Sequence, residues 1–307
     1  MWESFPRQGL FAMSTRRYAD RVQRPFCLAL MLCIPCAPVV QANDEALARW
    51  LHGELRAATG IDYSRGDYGY ETETEMLYVP FTLTYLFDQF APSPTPRDQL
   101  ELKLSVPYLE VDGPIEAGAE VSARERGIGD VLIGASYLYY PERTGLPAGE
   151  LGFSVQLPTA DEDRGLGTGK TDYTLRLSLF QRYGDFVPVV SGGYRFIGKN
   201  RPEFVLRDGA TASAGLSWIP TERWNLGISY DWRQAISKRI VPGSSAGGAL
   251  VRSDDGHELT LFGSAPLGPW LRLSPYFVAG LSEGSPDFAL GAQVQVVVPV
   301  RPWGGAR

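Results

Sequence analysis

From residue 68 to residue 298, apolar and polar side chains alternate one by one through successive runs, each closed by a break of Gly, Asp, Pro or Asn. The run 224–233 shows the pattern. Trp224, Leu226, Ile228, Tyr230 and Trp232 fall on one parity, and Asn225, Gly227, Ser229, Asp231 and Arg233 on the other. Successive side chains of a strand point to opposite faces, so this segment has one apolar and one hydrophilic face. Aromatic residues bracket the apolar face and aliphatic ones fill it. That order suits a strand crossing a bilayer, with aliphatic atoms against acyl chains and Trp or Tyr at both water boundaries.

The alternation predicts twelve strands, over 57–64, 70–87, 99–112, 128–140, 149–158, 172–183, 186–197, 210–219, 223–236, 256–265, 270–282 and 287–298. In the sixth, Tyr173, Leu175, Leu177 and Leu179 oppose Thr174, Arg176, Ser178 and Arg182. A soluble antiparallel sandwich would alternate too. Its strands, however, run to about five or six residues, whereas these match a tilted crossing of the hydrocarbon layer. The expected fold is therefore all-β, an antiparallel transmembrane β-barrel of the outer-membrane type with about 12 strands. An even count puts both ends of the barrel on the periplasmic side. The breaks 112–127, 159–171, 198–209 and 237–255 then face outward, and the shorter ones at 141–148, 184–185, 220–222 and 266–269 face the periplasm. The break 88–98 is long for a periplasmic turn.

The segment before the strands reads as an export signal. Arg16, Arg17, Arg21 and Arg24 precede an apolar run over 26–40, which Pro35 and Pro38 interrupt, and Val40-Gln41-Ala42 offers small residues for cleavage. Residues 1–42 are expected to be a cleaved signal peptide, with Met13 a second candidate start. The run is too short and too proline-broken for a spanning helix, which takes about 20 residues. The barrel is expected over 43–298, with a short helical or frayed lead-in at 43–56 and a tail at 299–307. Cys27, Cys33 and Cys36 all lie in the signal, and neither Leu32 nor Pro35 is the small residue that precedes a lipidated cysteine. The remainder has no disulfide, thiol nucleophile or thiolate ligand, which suits an oxidising periplasm.

Charge narrows the partners. The first 42 residues hold five Lys/Arg and two Asp/Glu, so the rest carries 24 basic against 33 acidic residues, a net charge near −9. An acidic chain without basic runs argues against nucleic acid. The mean hydropathy is −0.13. A barrel reconciles that value with a membrane, because only alternate residues meet lipid.

Several short motifs carry a resemblance. Thr59-Gly60-Ile61-Asp62-Tyr63-Ser64 with Gly66-Asp67-Tyr68-Gly69 is followed by Leu77-Tyr78-Val79-Pro80, Ser105-Val106-Pro107-Tyr108-Leu109, Gly127-Ile128-Gly129-Asp130, Leu157-Pro158-Thr159 and Gly167-Thr168-Gly169. In their order and spacing they resemble the MetA-pathway phenol-degradation family of outer-membrane transporters, over nearly all of the exported chain. The resemblance implies a barrel that admits small, often aromatic, compounds, and it supplies no catalytic residues. At the C-terminal end the sequence departs from the aromatic terminal residue that barrel-assembly machinery reads. Residues 299–307 follow the last strand with Trp303 their only aromatic, although Gly291, Val294 and Val296 keep part of that signal's spacing. The assembly machinery is still an expected partner.

Candidate chemistry is sparse. Arg164-Gly165-Leu166-Gly167-Thr168-Gly169-Lys170-Thr171 approaches a phosphate loop, but Arg164 stands where the first Gly is required and no helix follows. Asp161-Glu162-Asp163 and Asp254-Asp255 are acidic pairs and triplets of the kind Ca²⁺ uses, and read more simply as solvated loop tips. Of two histidines, His52 and His257, the latter starts a strand beside Asp254, Asp255 and Glu258, with Leu259 and Leu261 on its own parity. A lipid-modifying hydrolase would need a Ser within its reach, and none stands at a diagnostic spacing. No catalytic, metal-binding or cofactor site is therefore assigned.

The functional candidates are the polar residues that parity turns into the lumen: Glu101, Lys103, Arg176, Arg182, Arg195, Asp231, Arg233, Glu258 and Arg272. Such rows either close a narrow interior as ion-paired ladders or hold a carboxylate or phenolate through charge-assisted bonds. The sequence thus points to the cell outer membrane, with lipid and a small-molecule solute as partners and passive admission of small molecules, aromatic ones among them, as the function. The alternatives are a filled barrel that works through its loops and a hydrolase centred on His257.

Overall fold

The computed structural model describes residues 53–300 except 68–72, 88–97, 115–121, 142–144, 162–163, 199–203, 242–248 and the single positions 165, 168, 207, 222, 236 and 253. The expected signal segment, residues 43–52 with His52, and the tail beyond 300 lie outside the described residues. Among those described, the secondary structure is entirely β.

The wall begins with β1 (Gly53–Gly66), β2 (Thr74–Phe87) and β3 (Gln99–Pro114). It continues through β4 (Ser122–Ile128), β5 (Val131–Tyr139), β6 (Ala148–Leu157), β7 (Asp172–Phe180) and β8 (Phe186–Phe196). After the short β9 (Phe204–Leu206) come β10 (Gly209–Thr221) and β11 (Trp224–Arg233). Two further short strands, β12 (Ser237–Val241) and β13 (Ala249–Arg252), precede β14 (Gly256–Pro266), β15 (Leu271–Gly280) and β16 (Phe288–Val300). Neighbours pair antiparallel in the order β2-β1-β16-β15-β14-β11-β10-β8-β7-β6-β5-β3, and a β2–β3 pairing closes the ring. β3 pairs with β4 along one half and with β5 along the other, so these two form a single stave interrupted at Gly129-Asp130. The barrel therefore has twelve staves. In a bilayer core without water, closure gives every wall strand a partner on both sides and leaves no edge.

The strand pattern read from the alternation matches the ring, with local differences. β1 starts at Gly53, so residues 53–56 of the expected lead-in are strand, and β16 continues past 298 to Val300. The segment 112–127, read as a loop, holds most of β4 and the end of β3, and the segments 198–209 and 237–255, also read as loops, contain β9, β12 and β13, which form a separate three-stranded sheet in the order β13-β12-β9. A tight connection is made at Gly184-Asp185, where Tyr183 and Phe186 exchange two backbone hydrogen bonds (2.7 and 3.0 Å). Gly184 sits at φ 61°, which a Cβ would oppose.

The two faces of the wall differ as the alternation requires. Ile61, Phe81, Leu83, Leu102, Leu104, Leu175, Leu177, Leu216, Ile228 and Leu261 are exposed on the outside, with Tyr173, Tyr194, Trp218, Trp224 and Tyr230 nearer the strand ends. Water would penalise so much exposed apolar surface, whereas lipid accepts it. Inside, the buried residues are mostly polar: Asp62, Ser64, Thr82, Thr84, Ser105, Ser178, Ser217, Thr260, Ser264 and Ser274. One apolar cluster interrupts them at the end carrying the short turns, where Ala148, Phe180, Val187, Val189 and Ile219 pack together with Leu138 and Tyr140.

Candidate functional site

The inward residues of the staves leave two spaces inside the barrel. The smaller, about 640 Å³ with open solvent included, lies at the end with the short turns against the apolar cluster and is lined by Gln99, Glu101, Glu150, Ser217 and Asn225 as well. The larger, about 1330 Å³ on the same measure, lies toward the end with the long loops. Its lining is mixed. β2, β3, β5, β15 and β16 contribute Met76, Tyr78, Pro107, Leu109, Leu132, Val278 and Ala289, with Asp62 and Ser64 of β1 and Ser105 of β3 set among them, while β6, β7, β8 and β10 contribute Gln156, Thr174, Arg176, Arg195 and Thr211. Leu166, from the loop joining β6 to β7, reaches in and is 2 % exposed.

Small hydroxyl residues occupy the level between the two spaces. Thr82 and Ser105 share a hydrogen bond (2.9 Å), as do Ser191 and Ser213 (2.5 Å), and Arg176 Nη2 donates to Ser191 Oγ (2.9 Å). Serine and threonine satisfy one another without filling a twelve-stave interior, which is why volume survives here.

The inward-facing candidates sort into distinct settings. Arg195 donates to Asp172 (2.5 Å), and both are buried; Gln156 Oε1 adds an acceptor at 3.3 Å. Arg233 pairs with Glu258 (3.4 Å) and donates to the Gly284 carbonyl. Asp231 accepts from Ser229 (2.9 Å) and Thr260 (3.4 Å). Arg272 donates to Ser264 Oγ (2.9 Å). Glu101 lines the smaller space, with Arg56 4.0 Å away, and Lys103 shares its parity one step further in. The structure brings Arg176, Arg195 and Glu258 to the larger cavity. Arg182 is elsewhere: β7 ends at Phe180, and Arg182 is exposed in the turn, donating to the Gly184 carbonyl. The alternation, read as a strand over 172–183, was carried three residues too far there.

The reading by parity passed over three carboxylates that shape the cavity. Asp62 accepts from Tyr276 Oη across the β1–β16–β15 wall. Asp130, in the break between β4 and β5, accepts from Gln156 Nε2 (3.0 Å) and Ala160 N (3.0 Å). Asp172 also accepts from Gly198 N (2.8 Å). Asp62, Ser64, Tyr78, Ser105, Pro107, Leu109 and Asp130 all line this cavity and all belong to the short motifs of the sequence, which was the available signal.

Other chemistry finds no geometry. The His257 ring accepts or donates at Nδ1 to Tyr230 Oη (2.5 Å), while Ser282 engages the His257 backbone N–H (3.0 Å). Asp255 is taken by Trp232 Nε1 (3.2 Å) and Ala235 N (2.9 Å). No Ser-His-acid relay is assembled among the described residues. Arg164, at the head of the phosphate-loop look-alike, instead binds Glu125 (2.7 Å) and the Arg126 carbonyl (2.9 Å), pinning that loop to β4.

Comparison with known proteins follows from this geometry. The fold is similar to that of the COG4313 outer membrane channel from Pseudomonas putida F1, with a TM-score of 0.65 and 14% identity, covering 80% of this chain and 96% of that one. It is also similar to the transport unit of the autotransporter AIDA-I from Escherichia coli, with a TM-score of 0.51 and 10% identity, covering 85% and 93%. No curated protein sequence matches. The family model described as "Putative MetA-pathway of phenol degradation" matches residues 77–299. The chain is an outer-membrane β-barrel, and it belongs to this phenol-degradation family.

Proposed function

We propose that the barrel is a passive channel for small molecules, aromatic compounds among them, and that it performs no covalent chemistry. The observation that carries this reading is the large cavity whose lining mixes apolar side chains (Met76, Leu109, Leu132, Val278, Ala289) with polar ones (Asp62, Ser64, Gln156, Arg176). An aromatic solute can exchange water for side chains there and still keep a polar group hydrogen-bonded. Transport would run down a concentration gradient, with binding weak enough for release. The similarity to a protein described as an outer membrane channel, and the family's association with phenol degradation, support the same reading. Insertion through the barrel-assembly machinery, with β16 as the strand it reads, belongs to the proposal as well.

The test is conductance and uptake by refolded residues 43–307 in lipid bilayers and proteoliposomes, with rates corrected for protein-free vesicles. Steady single-channel conductance, with phenol or benzoate entering faster than sugars of similar size, is expected. A folded, heat-modifiable barrel that neither conducts nor admits solute would overturn the channel.

A further inference from the structure

We infer that the entrance at the long-loop end is a constriction with two fixed jaws, Leu166 and Pro286, and that these two side chains set the size of solute that passes; this rests on the channel reading above. Three observations converge on it.

The first is where the two residues stand. Leu166 belongs to the connection from β6 to β7, and Pro286 to the connection 281–287 from β15 to β16. These connections follow the fifth and the eleventh stave, which puts both at the same rim. In a ring of twelve they lie six staves apart, so they face each other across the bore. Both residues line the larger cavity.

The second is that both connections lie on the inner face of the wall, over glycines. Gly127 of β4 stands opposite Leu109, a cavity residue, and so shares its inward face. A Cβ there would come within 2.7 Å of Leu166 Cδ1. Gly280 continues the inward parity of Val278, and Gly66 that of Asp62 and Ser64. A Cβ on Gly280 would collide with the Pro286 carbonyl, and one on Gly66 would stand 2.8 Å from Pro286 Cα. These bare positions are the seats that let a second layer of chain approach the strands. The bore narrows where its wall is lined twice, once by strands and again by the connections lying on them.

The third is how firmly the connections are held. Arg164, two residues before Leu166, donates to Glu125 (2.7 Å) and to the Arg126 carbonyl (2.9 Å) of β4, and Ala160 N donates to Asp130 (3.0 Å). On the other side, Arg233 donates to the Gly284 carbonyl (3.3 Å), while Ser285 Oγ (3.0 Å) and Leu281 N (2.7 Å) both donate to the His257 carbonyl. Jaws tied to the wall at several points hold one aperture, and the aperture does the discriminating.

The full chain, expressed with residues 1–42 in place and purified from membranes, is tested in planar bilayers for single-channel conductance and in liposomes for uptake of a trisaccharide against a monosaccharide. Leu166→Ala combined with Pro286→Ala removes atoms from both jaws without altering a wall strand. The pair is expected to raise conductance about twofold and to raise the trisaccharide-to-monosaccharide uptake ratio, which a loss of stability alone would not do. Gly127→Val, which pushes Leu166 off its seat toward the bore, is expected to lower conductance in the natural sequence and to change little beside Leu166→Ala. A conducting barrel in which the alanine pair leaves both conductance and the uptake ratio unchanged overturns the constriction and leaves the channel standing. An equal fall from Gly127→Val in both backgrounds overturns the seat assigned to Leu166. A folded barrel that is silent in the natural sequence and stays silent with the alanine pair overturns the channel and the jaws together.

Discussion

Asp172 is 1 % exposed and accepts from Arg195 (2.5 Å) and from the backbone of Gly198. Asp172→Ala would leave the Arg195 guanidinium buried without its counter-charge. Breaking a buried ion pair from one side costs about 3–5 kcal/mol, and we expect a loss of that size in the urea midpoint of refolding into lipid. Arg195→Met combined with Asp172→Leu should recover most of it, because no buried charge then remains. Parity alone placed Arg176, Arg195 and Glu258 on the inner face, since period two needs no knowledge of the partner strand. Asp62, Asp130 and Asp172 escaped the same reading for a physical reason. Each stands near a strand end or break, where a carboxylate looks like turn punctuation. Their partners are also distant in sequence: Asp62 meets Tyr276, 214 positions away, only because the sheet has closed.

At the level of the element, β7 shows the pattern most cleanly. Leu177 lies at mid-strand on the outer face and is half exposed to what must be acyl chain. Leu177→Arg should destabilise the barrel by about 2–4 kcal/mol in the same refolding equilibrium, while Thr174→Arg, one of the lumen positions, should cost far less. The loop ends obey aqueous rules instead. Arg65 at the end of β1 hydrogen-bonds Glu73 in the connection to β2 and holds its carboxyl below the ordinary value of 4.5. A depressed folded value means the contact is complete above 4.5 and is lost as pH falls through the lower, folded value. NMR titration of Glu73 should therefore find its midpoint below 4.5, returning toward that value in Arg65→Gln. Strand existence was legible because alternation is local. The β4–β5 stave was not, because 112–127 reads as a loop and 128–140 as one strand through Gly129-Asp130, until β3 is seen to pair with both halves. The sheet formed by β9, β12 and β13 was hidden for the complementary reason: its strands are too short to display a period.

For the molecule as a whole, an even strand count was legible, since it follows from the bilayer rather than from packing detail. Cavity shape was not accessible in this way, because it depends on which inward residues are small across many staves at once. The closure between β1 and β16 carries a different consequence. Their register runs from Gly53 against Val300 to Arg65 against Phe288, as continuous as any pairing joined by a turn. The ring has no structural memory of where the polypeptide starts. Joined across that seam and cut instead between β10 and β11, the same residues would describe the same cylinder, a circular permutant with its new ends at the same rim as the old. Only the timetable would change. In the natural order the first stave waits with one side open until the last is delivered, so the whole burden of keeping that side from other chains falls on the interval between them.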